Sequence, residues 1–398
     1  MLVERLTPAE ATRWESAQPL TGTELRRLFD GRSALTVGLE EELMLLDPVS
    51  LELSPSAELA LERLAGDARF GHELREGQVE LRSPPCGNAV AAAVCLAEAR
   101  LRLHEGLEGR LLLAASGTHP FSARWGAITA ERRYRDIADE YPHAARGHLP
   151  CALHVHVAVP GADRALAVYN AARSYVPEFA ALAANSPFLD GEDTGLASAR
   201  SQLGFAPHRS GVPPVFESWE HFAGFVAWGR RGGVFPDASH LWWDLRPHTR
   251  FGTLELRVPD AQTRLEDAAA VAAVFQALLA WLAARVDAGE RLPVHETSRI
   301  AENAWRAARD GERGWLVDLD TGEPVAARAR ISLLLDALEP AAESLRTTWA
   351  LRGARALLAD NGADRQRYVA ARDGARGLTR WLARETVVSA RDYLEQRG

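Results

Sequence analysis

The sequence predicts an α+β fold built on an antiparallel sheet. Segments of strict apolar–polar alternation, the period of a half-buried strand, recur at Leu35–Leu46, Phe70–Leu81, Cys151–Val159 and Thr253–Val258. Helical stretches rich in Ala and Leu lie among them, but the two kinds do not alternate regularly as a doubly wound sheet requires. The last third of the chain is helical in pattern, broken by a turn at Asp318–Gly322.

The elements follow in order. Residues 1–32 read as a helix-rich lead-in. The Leu35–Leu46 strand stops at Asp47-Pro48, and Leu51-Glu52-Leu53 is placed to return as its hairpin partner. The Phe70–Leu81 strand stops at Ser83-Pro84-Pro85. A helix over Asn88–Arg110 opens on Asn88, whose side chain suits an N-cap. Leu111–Ser116 is a short apolar strand, and Cys151–Val159 is a strand bounded by Pro150 and Pro160-Gly161. A helix over Ala165–Ala184 leads into a loop over 185–216, rich in Gly, Pro, Ser and Asn. Loops of that length are usually functional; this one is expected to order over a substrate. Trp219–Trp228 is a helix, Leu241–Arg246 and Thr253–Val258 are strands, and Arg264–Val286 is a long Ala-rich helix.

Composition narrows the function. Of 398 residues, 47% are hydrophobic and 25% charged, which excludes a mostly disordered chain. A net charge of −8 without a basic block argues against nucleic acid or an anionic membrane as partner. No apolar run is expected to reach membrane-helix length. The N-terminus, carrying Glu4, Arg5 and Glu10, does not read as a signal peptide, so the expected location is cytoplasmic. All 46 basic residues are arginine. The absence of lysine excludes a Walker-type phosphate loop, a pyridoxal Schiff base, a kinase-type ATP lysine and a Ser–Lys dyad. Cys86, Cys95 and Cys151 form no CxxC and read as small hydrophobes in a reducing compartment.

The carboxylates on strands carry the chemistry. In Gly38-Leu39-Glu40-Glu41-Glu42, Glu40 and Glu42 share one face and Glu41 takes the other. Two carboxylates about 4 Å apart repel by roughly 4 kcal/mol at an effective dielectric near 20. Water, arginine or a divalent cation has to offset that. Glu76, Gln78 and Glu80 share strand parity, with Glu73 just before them. His154 and His156 share a face, as do Glu255 and Arg257. One sheet face coated with carboxylate, imidazole and guanidinium cannot be the core side. It reads as the wall of a cleft for hard divalent cations and polyphosphate. Arg132, Arg133 and Arg135 around Tyr134, Arg200 in the long loop, and Arg246 and Arg250 flanking His248 are the candidate anion contacts.

These motifs, in this order, resemble one family. The strand Gly38–Glu42 comes first, followed by Glu73 with Glu76-x-Gln78-Val79-Glu80, and Gly117-Thr118-His119-Pro120. Cys151-x-x-His154-Val155-His156, Ala184–Phe188 and Ser198-Ala199-Arg200 come next, and Arg246-Pro247-His248 with Gly252–Arg257 completes the set. The chain is similar to the carboxylate–amine ligases called glutamate–cysteine ligase type 2, of the glutamine synthetase-like superfamily. The resemblance implies a single domain over 1–398, with a core over about 30–310 and a helical part over about 311–398. It implies a curved, mostly antiparallel sheet with helices on one side, whose concave face holds ATP and Mg2+ or Mn2+. By position, Glu40, Glu42, Glu73, Glu80, His154 and Glu255 match metal ligands; Arg200 matches a phosphate or substrate contact, and Arg133 and Arg257 match nucleotide contacts.

The implied reaction joins an acid to an amine through an acyl phosphate, with glutamate and L-cysteine as the expected pair. A different acid–amine pair is one alternative. A catalytically silent nucleotide- or metal-binding protein on the same fold is another. The expected partners are small-molecule substrates, neither nucleic acid nor membrane, and a homodimer is left open.

Overall fold

The alternation read from the sequence becomes a seven-stranded sheet whose pairings are all antiparallel. The computed structural model describes residues 20–397, apart from 33, 65, 123–126, 143–146, 148 and 204–206. The first 19 residues of the expected lead-in therefore lie outside the described residues, and its remainder is a helix over Gly22–Asp30. The strands are β1 (Val37–Leu46), β2 (Phe70–His72), β3 (Gln78–Arg82), β4 (Leu112–Ala114), β5 (Leu153–Val157), β6 (Leu245–His248) and β7 (Thr253–Leu256). They lie in the order β6-β7-β5-β1-β3-β2, with β4 on the far end of β1. Leu53 meets Leu46 in one isolated bridge, so the expected return hairpin is reduced to a single pairing.

The helices that matter here are α1 (Ala89–Gly106), α2 (Arg132–Glu140), α3 (Ala162–Ala172), α4 (Val176–Leu182), α5 (Leu265–Asp287) and α6 (Gly362–Glu395). Asn88 caps α1 as expected, accepting from the Ala91 amide at 2.9 Å. Helices α1, α3 and α5 form the main core with the apolar sheet face of Leu39, Leu43, Leu81, Val155 and Leu254. Contrary to the expectation above, α5 does have the length and mean hydropathy, 1.8, of a membrane span. Yet 72% of that apolar window is buried inside the protein. Its hydropathy is that of a core helix packed on all sides. Helix α6, broken at Gly374 (φ 68°), closes the far end of the opposite face, where Leu378 and Leu382 join Met44, Leu46 and Ala114.

Three sequence expectations change. Phe70–Leu81 is two strands around a turn, because the backbone between them pairs elsewhere. The Glu76 amide donates to Ala127 at 3.0 Å, and the Thr129 amide donates to the Leu74 carbonyl at 3.0 Å. Glu73 and Glu76 thus sit in the turn, and Glu76 does not share the strand face of Gln78 and Glu80. The Ala165–Ala184 helix is split at Arg173–Tyr175. Pro177 then opens α4, a position that needs no amide donor. The 185–216 loop contains a small strand pair, Phe188–Leu189 with Glu192–Asp193, and a 3-10 turn at Arg200–Gln202.

Strand β1 divides two chemistries. Glu41 faces the helices, where it and Arg100 of α1 are both fully buried. Arg100 Nε donates to Glu41 Oε2 at 2.8 Å, and its remaining donors reach the carbonyls of Gln262 (2.6 Å), Thr263 (3.0 Å) and Thr386 (3.2 Å). One guanidinium thereby ties β1, the residues before α5 and α6. Removing one partner of such a pair strands a charge in the core. Arg100→Leu is therefore expected to lower the unfolding free energy by about 3–5 kcal/mol in a denaturant titration. A loss under about 1 kcal/mol would mean that the pair adds no net stability.

Candidate active site

The other face of β1 opens on a cleft of about 880 Å³. Register brings the site together. Glu40 lies opposite His154 and Glu42 opposite Glu80, while Glu255 pairs with both His156 and Arg246. Glu40, Glu42, Glu73, Glu80, His154, Arg133, Arg200 and Arg257 all line the cleft. Glu255 lies beneath them, fully buried.

Suitably placed oxygen and nitrogen atoms of Glu40, His154 and Glu255 all fall within 4.8 Å of one another. His154 Nδ1 is 3.5 Å from Glu40 and its Nε2 is 3.8 Å from Glu42, so one imidazole spans two carboxylates. His156 Nε2 lies 3.5 Å from Glu40 and 3.8 Å from Glu255; it is buried and has no hydrogen-bond partner. Its Nδ1 is within 3.0 Å of Thr253 Oγ1. A buried, unpaired imidazole nitrogen aimed among carboxylates, beside a set of carboxylate and imidazole donors, fits a divalent cation. Glu42 and Glu73 each accept one backbone amide, from Ala152 at 2.7 Å and Leu74 at 3.0 Å, which orients them into the cleft.

Burial and crowding set the charges. Burial pushes Glu42 up to about 8, and the neighbouring Glu73 adds to this. Burial also raises Glu73 and lifts Glu80 well above the usual carboxylate range, where Glu40 and Glu73 push it further. Burial would raise Glu40 as well, but the close approach of His156 and His154, each 3.5 Å away, outweighs it and holds Glu40 well below its ordinary value. Glu255 is likewise held low, because Arg246, Arg257 and His156 outweigh its burial. Burial, with the Arg257 charge, lowers His154 to about 4, which leaves a neutral imidazole at neutral pH.

Arginines are shared out in ways that parity alone does not reveal. Arg82 pairs with Glu80, and it can lie there because Gly71 has no side chain; a Cβ at Gly71 would come within 2.5 Å of the guanidinium. Arg246 is a buried partner of Glu255 and of the Ser239 and Leu241 carbonyls rather than a free anion contact. Arg257 Nη1 donates to Glu255 at 2.5 Å and lies 3.5 Å from His154 Nδ1. Arg133 stands exposed on α2 at the rim.

Arg200 is held by Asp260, a residue that sequence reasoning passed over. Arg200 Nε donates to Asp260 Oδ1 at 2.8 Å, and Nη2 donates to the carbonyls of Arg257 (3.2 Å), Val258 and Pro259 (3.0 Å). Buried Asp260 also accepts from the Asn185 amide (2.7 Å), Ser186 Oγ (2.7 Å) and Ser198 Oγ (2.9 Å). Gly117 leaves room for this hub, since a Cβ there would sit 2.6 Å from the Asp260 carboxyl carbon. The only sequence signal was the clustering of Asn185, Ser186, Ser198 and Arg200 in one loop.

The raised carboxyls make metal binding compete with protons. A native group held near 8 keeps a proton that the unfolded chain has released, so its stabilisation is lost as pH climbs through that value. Without divalent metal, the melting temperature is therefore expected to fall between about pH 5, just above the unfolded carboxyl value, and about pH 8. With Mg2+ or Mn2+ in excess the fall should flatten, because the cation replaces the proton. Identical pH slopes with and without metal, read by thermal melts, would contradict this assignment.

Comparison with known proteins gives the family and the fold. The family model described as glutamate-cysteine ligase family 2 matches residues 36–386. A Rubrobacter xylanophilus protein named "Putative glutamate--cysteine ligase 2-3" is 39% identical over 366 residues, covering 90% of this chain and 99% of its own. A Frankia alni protein of the same group, numbered 2-1, is 37% identical over 354 residues, covering 86% of this chain and 92% of its own. Among solved structures, the Francisella tularensis glutamate–cysteine ligase in complex with AMP superimposes with a TM-score of 0.66 at 13% identity, over 92% of this chain and 94% of that one. A bifunctional glutathione synthetase from Pasteurella multocida gives a TM-score of 0.60 at 13% identity, over 94% of this chain and 54% of that one. At such identity the structures establish a shared glutamine synthetase-like fold, and the sequence match establishes the rest: the chain belongs to glutamate–cysteine ligase family 2.

Proposed function

We propose that this protein is an ATP-dependent carboxylate–amine ligase that joins glutamate to L-cysteine, forming γ-glutamylcysteine. The observation that carries the reading is the single sheet face on which Glu40, Glu42, Glu80, His154 and Glu255 converge, with Glu73 at its edge and arginines around it. Such a face suits a polyphosphate bridged by hard cations better than an apolar or neutral ligand.

A carboxylate does not condense with an amine until one of its oxygens can leave. The substrate γ-carboxylate takes the terminal phosphoryl group of ATP, giving an acyl phosphate and ADP. The amine nitrogen, as free –NH2, then bonds to the acyl carbon, the C–O bond to phosphate breaks, and the nitrogen gives up one proton, leaving the amide N–H. When bound, Mg2+ or Mn2+ supplies charge neutralisation across the phosphates. Glu40, Glu42, Glu73, Glu80, His154 and Glu255 are the residues that would hold those ions. Arg257, fixed by Glu255, and Arg133 at the rim would meet nucleotide phosphate. Arg200, fixed by Asp260, would steady the departing phosphate or the tetrahedral adduct. No serine or cysteine nucleophile is required, and Cys151, buried with its thiol pushed up by that burial, is unsuited to be one.

The test is metal-dependent ADP release from the purified protein with ATP, glutamate and L-cysteine, with the product identified by mass spectrometry. Glu40→Gln should reduce turnover more than about 100-fold; because Glu40 is held low by His156 and His154, the apo variant should also lose some stability, so turnover is compared on a variant confirmed folded by circular dichroism. Full activity of this variant at limiting magnesium would contradict the role. Arg200→Lys should lose about 100-fold or more, because an ammonium cannot serve Asp260 and a phosphate with two differently directed edges. Near wild-type turnover in the lysine variant would remove Arg200 from the site.

A further inference from the structure

Around Arg133, Arg200, Arg246 and Arg257, most acidic groups are candidate metal ligands or arginine partners, and Asp237 accepts from the Ser239 amide at 2.7 Å and faces His240. Asp244, the residue before β6, lines the cleft, and among the described residues no hydrogen bond or ion pair reaches its carboxylate. Its backbone is fixed on both sides: the amide donates to Gly211 at 2.9 Å, and the carbonyl accepts from the Arg257 amide at 2.7 Å. The carboxylate is therefore held in place while remaining open to a ligand. Burial raises Asp244 to about 6, opposed by the charges of Arg200 and Arg257, so it is ionised at neutral pH. Beside it, Tyr134, Ile137, Leu203 and Trp242 give the cleft an apolar wall.

We propose that Asp244 is the specificity-determining receptor for the amine substrate. It takes the acceptor as a primary ammonium whose uncharged body rests on the Tyr134–Trp242 wall. The inference rests on the ligase reading and says which class of amine that site selects. With Glu40, Glu42, Glu73 and Glu80 assigned to divalent cations, a cationic acceptor needs a carboxylate outside that set, near Arg200 and Arg257 but paired with neither. Placement beside Arg200 and Arg257 also sets the ammonium next to the groups assigned to the departing phosphate, where an amine has to arrive.

The experiment separates charged from uncharged nucleophiles. Hydroxylamine is mainly uncharged at neutral pH and traps an acyl phosphate as hydroxamate, whereas L-cysteine and methylamine present ammonium groups. Wild-type protein with ATP, Mg2+, glutamate and hydroxylamine tests the ligase reading; if it forms neither hydroxamate nor ADP, that reading fails and this inference falls with it. If hydroxamate forms, Asp244→Asn should lower the ratio of kcat/KM for the cationic amines to kcat/KM for hydroxylamine by roughly 10- to 100-fold, mainly through KM. Asp244→Glu, which keeps the charge, should recover part of that ratio. An unchanged ratio in both variants overturns the proposal. So does a ratio that falls equally in Asn and Glu, since that points to packing rather than charge.

Discussion

Like-charge repulsion on one sheet face is the constraint on which the rest of this structure depends. Glu40, Glu42 and Glu80 line one cleft with Glu255 buried beneath them, and Glu73 adds a fifth carboxylate at its edge. Without a cation, three devices hold them together. Arginines take two: Arg82 pairs with Glu80, and Arg246 with Arg257 flanks Glu255. The His156 imidazole takes another: the carboxylates around it raise it despite its burial, which favours its charged form, and Glu40 is held low in return. Glu42 and Glu73 accept one backbone amide each, with neutral His154 beside Glu42 and arginine charges farther off, and burial leaves both raised. The carboxyls with the weakest protein partners are thus the ones a divalent cation would relieve most.

The scaffold that tolerates this is built from the same strand. Glu41, one residue from two cleft carboxylates, points into the core and meets Arg100, which also binds backbone carbonyls before α5 and on α6. A buried ion pair is a weak source of net stability against a hydrophobic replacement, but it is specific about register. A one-residue slip of β1 would send Glu41 into the cleft and Glu40 and Glu42 into the helices, leaving Arg100 without its partner. We read this pair as the lock that keeps the carboxylate face on the cleft side.

Much of the site was legible because strand parity is a rigid rule. Two residues apart means one face, so Glu40 with Glu42, His154 with His156, and Glu255 with Arg257 were assigned from spacing alone. What spacing does not carry is register between strands, and that decided the arginines. Arg246 looked like a free anion contact until pairing set it opposite Glu255. Arg82, one strand period after Glu80, carried the same parity signal and was overlooked. Glu76 failed for another reason: the alternating run it belongs to turns back, since its backbone pairs with the Ala127 segment. Asp244 gave no pattern at all. Its interest lies in the partners it lacks, which only a three-dimensional inventory reveals.

The long loop shows how a local expectation can be half right. Its composition suggested a segment that orders over substrate and brings Arg200 with it. In the structure, Asn185, Ser186, Ser198 and Arg200 all converge on buried Asp260, and Gln366 of α6 donates to Asn185 from behind. A carboxylate accepting four donors, one of them a guanidinium, is a costly thing to open, because each donor would return to water while Asp260 stayed buried. Entropy argues the same way: a loop already ordered asks nothing further of the ligand. Residues 185–200 therefore belong to the rigid frame, with Arg200 a preformed contact. Any closure over substrate would have to come from the segment beyond Gln202, part of which, 204–206 with the loop residue Phe205, lies outside the described residues. Preorganisation of this kind suits a phosphoryl-transfer site, where fixed charges that need not move are worth more than charges that must be gathered.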